Sequence, residues 1–211
     1  MSDDARALEA CVAGGGVAVF YADTVYGLAC DPEDAGAVAR LYALKGRPPR
    51  KASAVMWLSA RCALAGLPEL GPRMRAAFEA LLPGAVTLLV PNPRGRFPLA
   101  CGADGAVLGV RVPDVPALAA VARPLLQSSA NLAGAPDARR LDEVPESIRS
   151  GADLVLDGGT LAGTPSTVVD LTAFERAGSW QIVRPGLAAG AEIAAALGTL
   201  EIPPPHQETR P

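Results

Sequence analysis

Short apolar runs with strand character outnumber helical stretches along this chain, and the two kinds do not alternate strictly. Strict alternation would build a doubly wound parallel sheet. Its absence predicts an α/β (α+β) fold, a twisted mixed β-sheet with helices packed against it. The apolar pattern places strands over 17–20, 54–58, 86–90, 107–111, 125–128, 154–157, 167–171 and 181–184. Ser2 caps a first helix with Asp3 and Asp4 in its opening turn, and Gly14, Gly15 and Gly16 end it. Asp31, Pro32, Glu33 and Asp34 read as cap, first-turn proline and acidic first turn of a second helix. Its apolar face is Val38, Leu41 and Tyr42, and Gly46 and Pro48 stop it. Further helices are predicted over 59–66, 72–82, 115–122 and 192–197. Half of the 211 residues are apolar, ample for one core, so residues 1–202 read as one domain and the Pro-rich residues 203–211 as a disordered tail.

Composition narrows the chemistry. The single histidine, His206, lies in that tail, which excludes a Ser-His-Asp triad, an HExxH zinc site and a histidine proton shuttle within the fold. Cys11, Cys30, Cys62 and Cys101 form no CxxC pair and read as reduced, mostly structural thiols of a cytoplasmic protein. The acidic N-terminus does not resemble a signal peptide, and the apolar run over 10–22 is too short for a membrane span. A net charge of −3 argues against a protein held on nucleic acid by bulk charge, while a local basic groove could still bind RNA weakly. Neither GxxxxGK[ST] nor GxGxxG occurs, and the glycine run precedes a strand, the wrong order for a phosphate loop.

One segment departs from the rest. No acidic residue falls between Asp34 and Glu69, whereas Arg40, Lys45, Arg47, Arg50, Lys51 and Arg61 all do. Such a run is ordinarily a solvated face. Here, however, it sits where a helix gives way to a Pro-rich turn before a strand, a place where scaffolds present functional side chains. Lys45 and Lys51 are also the only lysines in the chain, against seventeen arginines. A polyphosphate site can use both the mobile ammonium and the planar guanidinium fork.

The motifs then converge on one family. The stretch from Tyr21 to Asp31, YADTVYGLACD, resembles the opening signature of the YrdC family of threonylcarbamoyl-AMP synthases. The resemblance continues in order through Lys45 to Pro48, Lys51, Pro83 and Gly84 with Thr87, and Val110 to Pro113. It ends with Ser128 to Asn131 plus Gly134, Pro165 to Asp170, and Arg184 to Gly186. The chain stops soon after Arg184, resembling the short form without an additional C-terminal domain.

The resemblance implies a large, positively lined cleft and a nucleotidyltransferase that makes threonylcarbamoyl-adenylate and pyrophosphate from ATP, L-threonine and bicarbonate. The product would serve the threonylcarbamoyl modification of the tRNA adenosine beside the anticodon, completed by a separate transferase complex. It further implies that Lys45, Arg47 and Lys51 hold triphosphate and bicarbonate, and that Arg111 holds the threonine carboxylate or a phosphate. Thr24 and Ser166 would contact threonine; Ser129, Asn131 and Arg184 would contact ATP. Mg²⁺ would enter as the ATP counter-ion, with no protein metal site.

For several of these residues a plainer role stands beside the implied one. Thr24 could bond its own turn, Ser129 and Asn131 could cap a helix before Leu132, and Arg111 and Arg184 could be surface arginines. Asp23 and Asp170 read as structural or magnesium-adjacent. The chain departs from the family pattern at Tyr21 and Ala22, at Ala52, Ser53 and Met56, and at Ala133. These changes lie mainly near the amino-acid side. They leave open a non-catalytic RNA- or nucleotide-binding paralogue, and a carbamoyl-adenylate-forming domain of the hydrogenase-maturation type.

Overall fold

The computed structural model describes residues 1–48, 51–103 and 105–200. The predicted tail, His206 and Arg50 lie outside the described residues. Helix α1 (Asp3–Ala13) starts where Ser2 Oγ accepts the Ala5 N–H at 3.1 Å and ends at Gly14, as its capping residues predict. Strands β1 (Ala18–Tyr21) and β2 (Tyr26–Cys30) then pair antiparallel. The sequence pattern does not reveal β2, because glycine and alanine in Tyr-Gly-Leu-Ala-Cys weaken its strand signal. Tertiary packing overrides that weakness: all five residues are buried. At Gly27 a Cβ would stand 2.8 Å from the Phe20 ring, so glycine is what lets that ring lie across the hairpin.

Helix α2 (Ala35–Leu44) begins later than predicted. Asp34 is its cap, with Oδ1 accepting the N–H of Gly36 at 2.8 Å and of Ala37 at 3.0 Å. Asp31 instead accepts the Glu33 N–H at 2.9 Å in the turn before, so Pro32 precedes the helix. Strand β3 (Ala54–Met56), helices α3 (Ala60–Gly66) and α4 (Pro72–Leu81), and strands β4 (Val86–Pro91) and β5 (Val107–Arg111) follow. The helix predicted over 115–122 is only a 3₁₀ turn, Pro116–Leu118. Val115 offers no side-chain cap, and Pro124 closes the segment from the other end. Beyond β6 (Leu125–Ser129) come α5 (Glu146–Arg149), β7 (Leu154–Val155), β8 (Thr167–Asp170), α6 (Phe174–Ala177), β9 (Gln181–Arg184) and α7 (Gly190–Gly198). The single-turn helices α5 and α6 are too short for a periodic signal.

The strands form one nine-stranded sheet in the order β7-β1-β2-β6-β3-β5-β4-β8-β9. Pairs β1–β7, β3–β5 and β4–β8 are parallel and the others antiparallel, the mixed sheet that the sequence pattern predicts.

The registers decide what each face carries, because paired residues project to the same side. One row runs Val55–Val110–Leu88–Val169, with Val55 also opposite Leu126; all are fully buried in the larger core, which includes residues of α2 and α4. On the opposite face, one row runs Ala29–Gln127–Ala54–Gly109–Leu89, and its neighbour runs Leu125–Met56–Arg111–Thr87–Val168–Arg184. At the β1–β2 end of this face, Ala18, Phe20, Ala29, Met56 and Leu125 pack in one cluster with Ala5, Leu8 and Val12 of α1. Toward β4 and β8 the same face is left open.

Candidate active site

The open part of that face is a cleft of about 440 Å³. Its sheet-derived lining mostly follows the period of two: Ala54 from β3, Thr87 and Leu89 from β4, Gly109 and Arg111 from β5, Gln127 and Ser129 from β6, with Ser128 near the end of β6 the exception. Small residues sit at the middle of the floor. A Cβ added at Gly109 would lie 3.5 Å from the Ala54 Cα, an ordinary contact, so the cleft's depth there comes from the absence of a side chain.

Among the described residues three arginines line the cleft, and each is anchored differently. Arg111, at the end of β5, is 2 % exposed. It forms an ion pair with Asp23 and donates from Nη2 to Thr24 Oγ1 at 2.8 Å. Asp23 also accepts the Asp114 N–H at 3.2 Å, so that carboxylate fixes the guanidinium rather than standing as a base. Burial pushes Arg111 below its ordinary pKa, and Asp23 opposes that shift. Arg47 donates to Ser128 Oγ at 2.7 Å and to the Ala52 carbonyl, with its guanidinium 5.7 Å above the Tyr42 ring. Arg184, exposed on edge strand β9, donates to the Ser166 carbonyl at 2.7 Å, and Ser166 Oγ lies 2.8 Å from Thr87 Oγ1. The Nε atoms of Arg47 and Arg111 are buried with no acceptor among the described residues. Arg47 and Arg184 donate to a hydroxyl and to carbonyls and, among the described residues, to no carboxylate, so their charge is left for an anion.

The sequence-implied residues divide at this point. Thr24, Arg47, Arg111, Ser129, Ser166 and Arg184 come together around the cleft. Lys45, Lys51 and Asn131 are not among its lining residues. Lys45 is buried, and its Nζ donates to the Ser129 carbonyl, to the Asn131 carbonyl at 2.8 Å and to Asn131 Oδ1 at 3.0 Å. Its ammonium therefore braces the Ser129–Asn131 loop from behind, and the Lys45 carbonyl accepts the Ala133 N–H at 2.9 Å. Burial, then the charge of Arg47, push Lys45 down to about 8. Lys51 is exposed beside the cleft-lining Ala52.

The plainer readings also sort themselves. Asn131 caps no helix, since none follows it before the 3₁₀ turn Leu141–Glu143; its Oδ1 accepts from Ser129 Oγ at 2.6 Å. Thr24 accepts from Arg111 rather than bonding its own turn. Asp170 accepts the Thr172 N–H at 2.8 Å and its hydroxyl at 2.7 Å, a local turn. Sequence reasoning assigned no site role to Gln127, Gly109 and Asp137, which all line the cleft. Gln127 could have been found, since it stands two residues before Ser129 on one strand. Asp137 lies beyond any strand and left no such signal.

A family model for the Sua5/YciO/YrdC domain, described as "Telomere recombination", matches residues 10–186. The chain belongs to the Sua5/YciO/YrdC family. A member of the family from Chromohalobacter salexigens, a threonylcarbamoyl-AMP synthase, is 37% identical over 176 residues, covering 76% of this chain and 89% of its own. The structure of P. abyssi Sua5 complexed with L-threonine superposes with a TM-score of 0.80 at 27% identity, covering 92% of this chain and 57% of that one. This chain therefore spans somewhat over half of that Sua5 chain. E. coli YciO superposes with a TM-score of 0.75 at 24% identity, covering 90% of this chain and 92% of its own, which establishes the shared fold. No helix among the described residues is long and apolar enough to cross a membrane.

Proposed function

We propose that this protein is an L-threonylcarbamoyladenylate synthase, joining L-threonine, bicarbonate and ATP to give threonylcarbamoyl-AMP and pyrophosphate. One observation carries this reading: Arg47, Arg111 and Arg184 converge with Thr24, Ser129 and Ser166 on one uncovered cleft, in a chain 37% identical to a threonylcarbamoyl-AMP synthase. The threonine bound to the P. abyssi relative supports the choice of amino acid.

The chemistry suits these residues. Threonine's neutral amine and bicarbonate condense to a carbamate with loss of water, and a carbamate oxygen attacks the α-phosphorus of ATP, expelling pyrophosphate. The nucleophile is already anionic and the leaving group competent, so the protein's work is to gather anions and neutralise developing charge. The cleft-lining guanidinium groups of Arg47 and Arg111 and the exposed head of Arg184 suit that task. Ser166, held between Thr87 and Arg184, and Ser129, held by Asn131, offer hydroxyls in set orientations. Lys51, exposed at the cleft's side, would meet the outer phosphates. Mg²⁺ would travel on the ATP phosphates. The product would pass to a separate transferase that modifies the tRNA adenosine beside the anticodon.

The test is pyrophosphate release from ATP and bicarbonate, with and without L-threonine. We expect release that depends on threonine. Folded protein that releases pyrophosphate equally without threonine, or not at all, would overturn the reading.

A further inference from the structure

Arginine dominates the cleft, yet one of its lining residues is a carboxylate. Asp137 lies half-buried in the segment that follows Gly134. Among the described residues, no cation engages it. The Lys45 ammonium is taken up by Ser129 and Asn131, Arg111 by Asp23 and Thr24, and Arg47 by Ser128 and the Lys51 and Ala52 carbonyls. The backbone holds Asp137 beside the Thr24 turn, because the adjacent Ala138 carbonyl accepts the Tyr26 N–H at 2.9 Å. The Asp137 charge also reaches Lys45, drawing its pKa up against the opposing effects of burial and Arg47.

An unpaired carboxylate in a cleft made for phosphates costs affinity for phosphates unless it meets a cation. Two cations would enter the cleft: the Mg²⁺ carried on the ATP phosphates, already held by those phosphates, and the α-ammonium of the amino acid, the one positive group that belongs to a substrate. A carboxylate that served Mg²⁺ would change ATP affinity when neutralised. We infer that Asp137 receives the α-ammonium of the amino-acid substrate and is a specificity-determining residue of this cleft. This inference rests on the reading of the cleft as an amino-acid and ATP site. Thr24 and Arg111 line the same cleft and are bonded to each other, and the Arg111 guanidinium suits the carboxylate of the same zwitterion. The site would thereby reject acids that lack the amine, which could otherwise enter on the arginines but could form no carbamate.

Isothermal titration of the full chain with L-threonine, with its 2-hydroxy analogue 2,3-dihydroxybutanoate and with ATP tests the assignment, using wild type and Asp137→Asn. Thermal melting verifies that the variant is folded. A charge-assisted hydrogen bond should favour L-threonine over the analogue by about tenfold or more in wild type. Asp137→Asn should abolish that preference and leave ATP affinity within about twofold, and Asp137→Glu should restore part of it. A variant that keeps the preference overturns the assignment, as does one that loses ATP and threonine affinity equally. Wild-type protein that shows the preference but releases no pyrophosphate leaves Asp137 assigned and refutes the synthase reading. Wild-type protein that binds no threonine refutes both.

Discussion

Two halves of one sheet face, crossed by the same rows of paired residues, reach opposite outcomes. At the β1–β2 end, Phe20, Met56 and Leu125 pack with Leu8 and Val12 of α1, and the face becomes core. Toward β4 and β8, Ala54, Gly109, Thr87 and Arg111 meet no covering helix, and the face becomes a cleft. The register continues from one half to the other: Met56 pairs with Arg111, and Ala54 pairs with Gly109. The change of character therefore comes from the side chains and from where α1 ends, not from the backbone. Apolar bulk placed on such a face is driven to recruit a cover, whereas small and charged residues leave it open to a ligand.

The sharpest way to break this comparison is at the boundary. Arg111→Ala removes the one guanidinium among the described residues that is both buried and cleft-lining, and leaves the Asp23 carboxylate without its partner. Stripping one member of a buried pair costs about 3–5 kcal/mol, and the loss of an anion-holding group should lower threonine-dependent pyrophosphate release by about a hundredfold or more. Thermal melting and the release assay should both fall; a variant with wild-type values in each would show that Arg111 belongs to neither half.

A matched pair of substitutions separates the halves. Phe20→Ala, at a fully buried ring, should cost about 3–5 kcal/mol of stability by denaturant titration while the folded fraction keeps its kcat within about threefold. Gly109→Leu should do the reverse, since its Cβ meets only ordinary contacts while the rest of the side chain enters the cleft. We expect stability within about 1 kcal/mol of wild type and turnover reduced about tenfold or more. Equal effects of the two variants on stability would mean that the halves are one core.

The smallest effect is one of pH. Lys45 is held down to about 8 from an ordinary 10.5, so between those values the unfolded chain binds more protons than the folded one. Stability should therefore rise with pH across that window. Activity should move the other way: losing a proton from Nζ removes one of the donors bracing the Ser129 and Asn131 oxygens. A kcat/KM profile should show an alkaline limb near 8 that is absent in Lys45→Met. A limb of the same position in that variant would assign it elsewhere.

Much of the site is legible in the sequence alone. Thr24, Arg47, Arg111, Ser129, Ser166 and Arg184 were readable because ordered motifs carry them, and all line the cleft. Lys45 shows where such reading ends. Its motif marks it as charged and important, but nothing in the motif says which way the last turn of α2 directs the side chain. The direction follows from Ser129 and Asn131, 84 and 86 residues away, whose carbonyls capture the ammonium. Strand β2 escaped for a similar reason, since its pairing between β1 and β6 supplies what its composition lacks. The 115–122 segment erred in the opposite direction, where helix-friendly alanines lacked a cap and lay between prolines.

By itself, the sequence determined the class of the sheet, the family and the anionic nature of what the protein handles, because hydrophobic period, motif order and charge type are local properties. Only the tertiary structure decided which cations face the cleft, which one braces it from behind, and that Asp137 pairs with none of them among the described residues. Those outcomes depend on strand register and on contacts between residues far apart in sequence, and no local pattern encodes either.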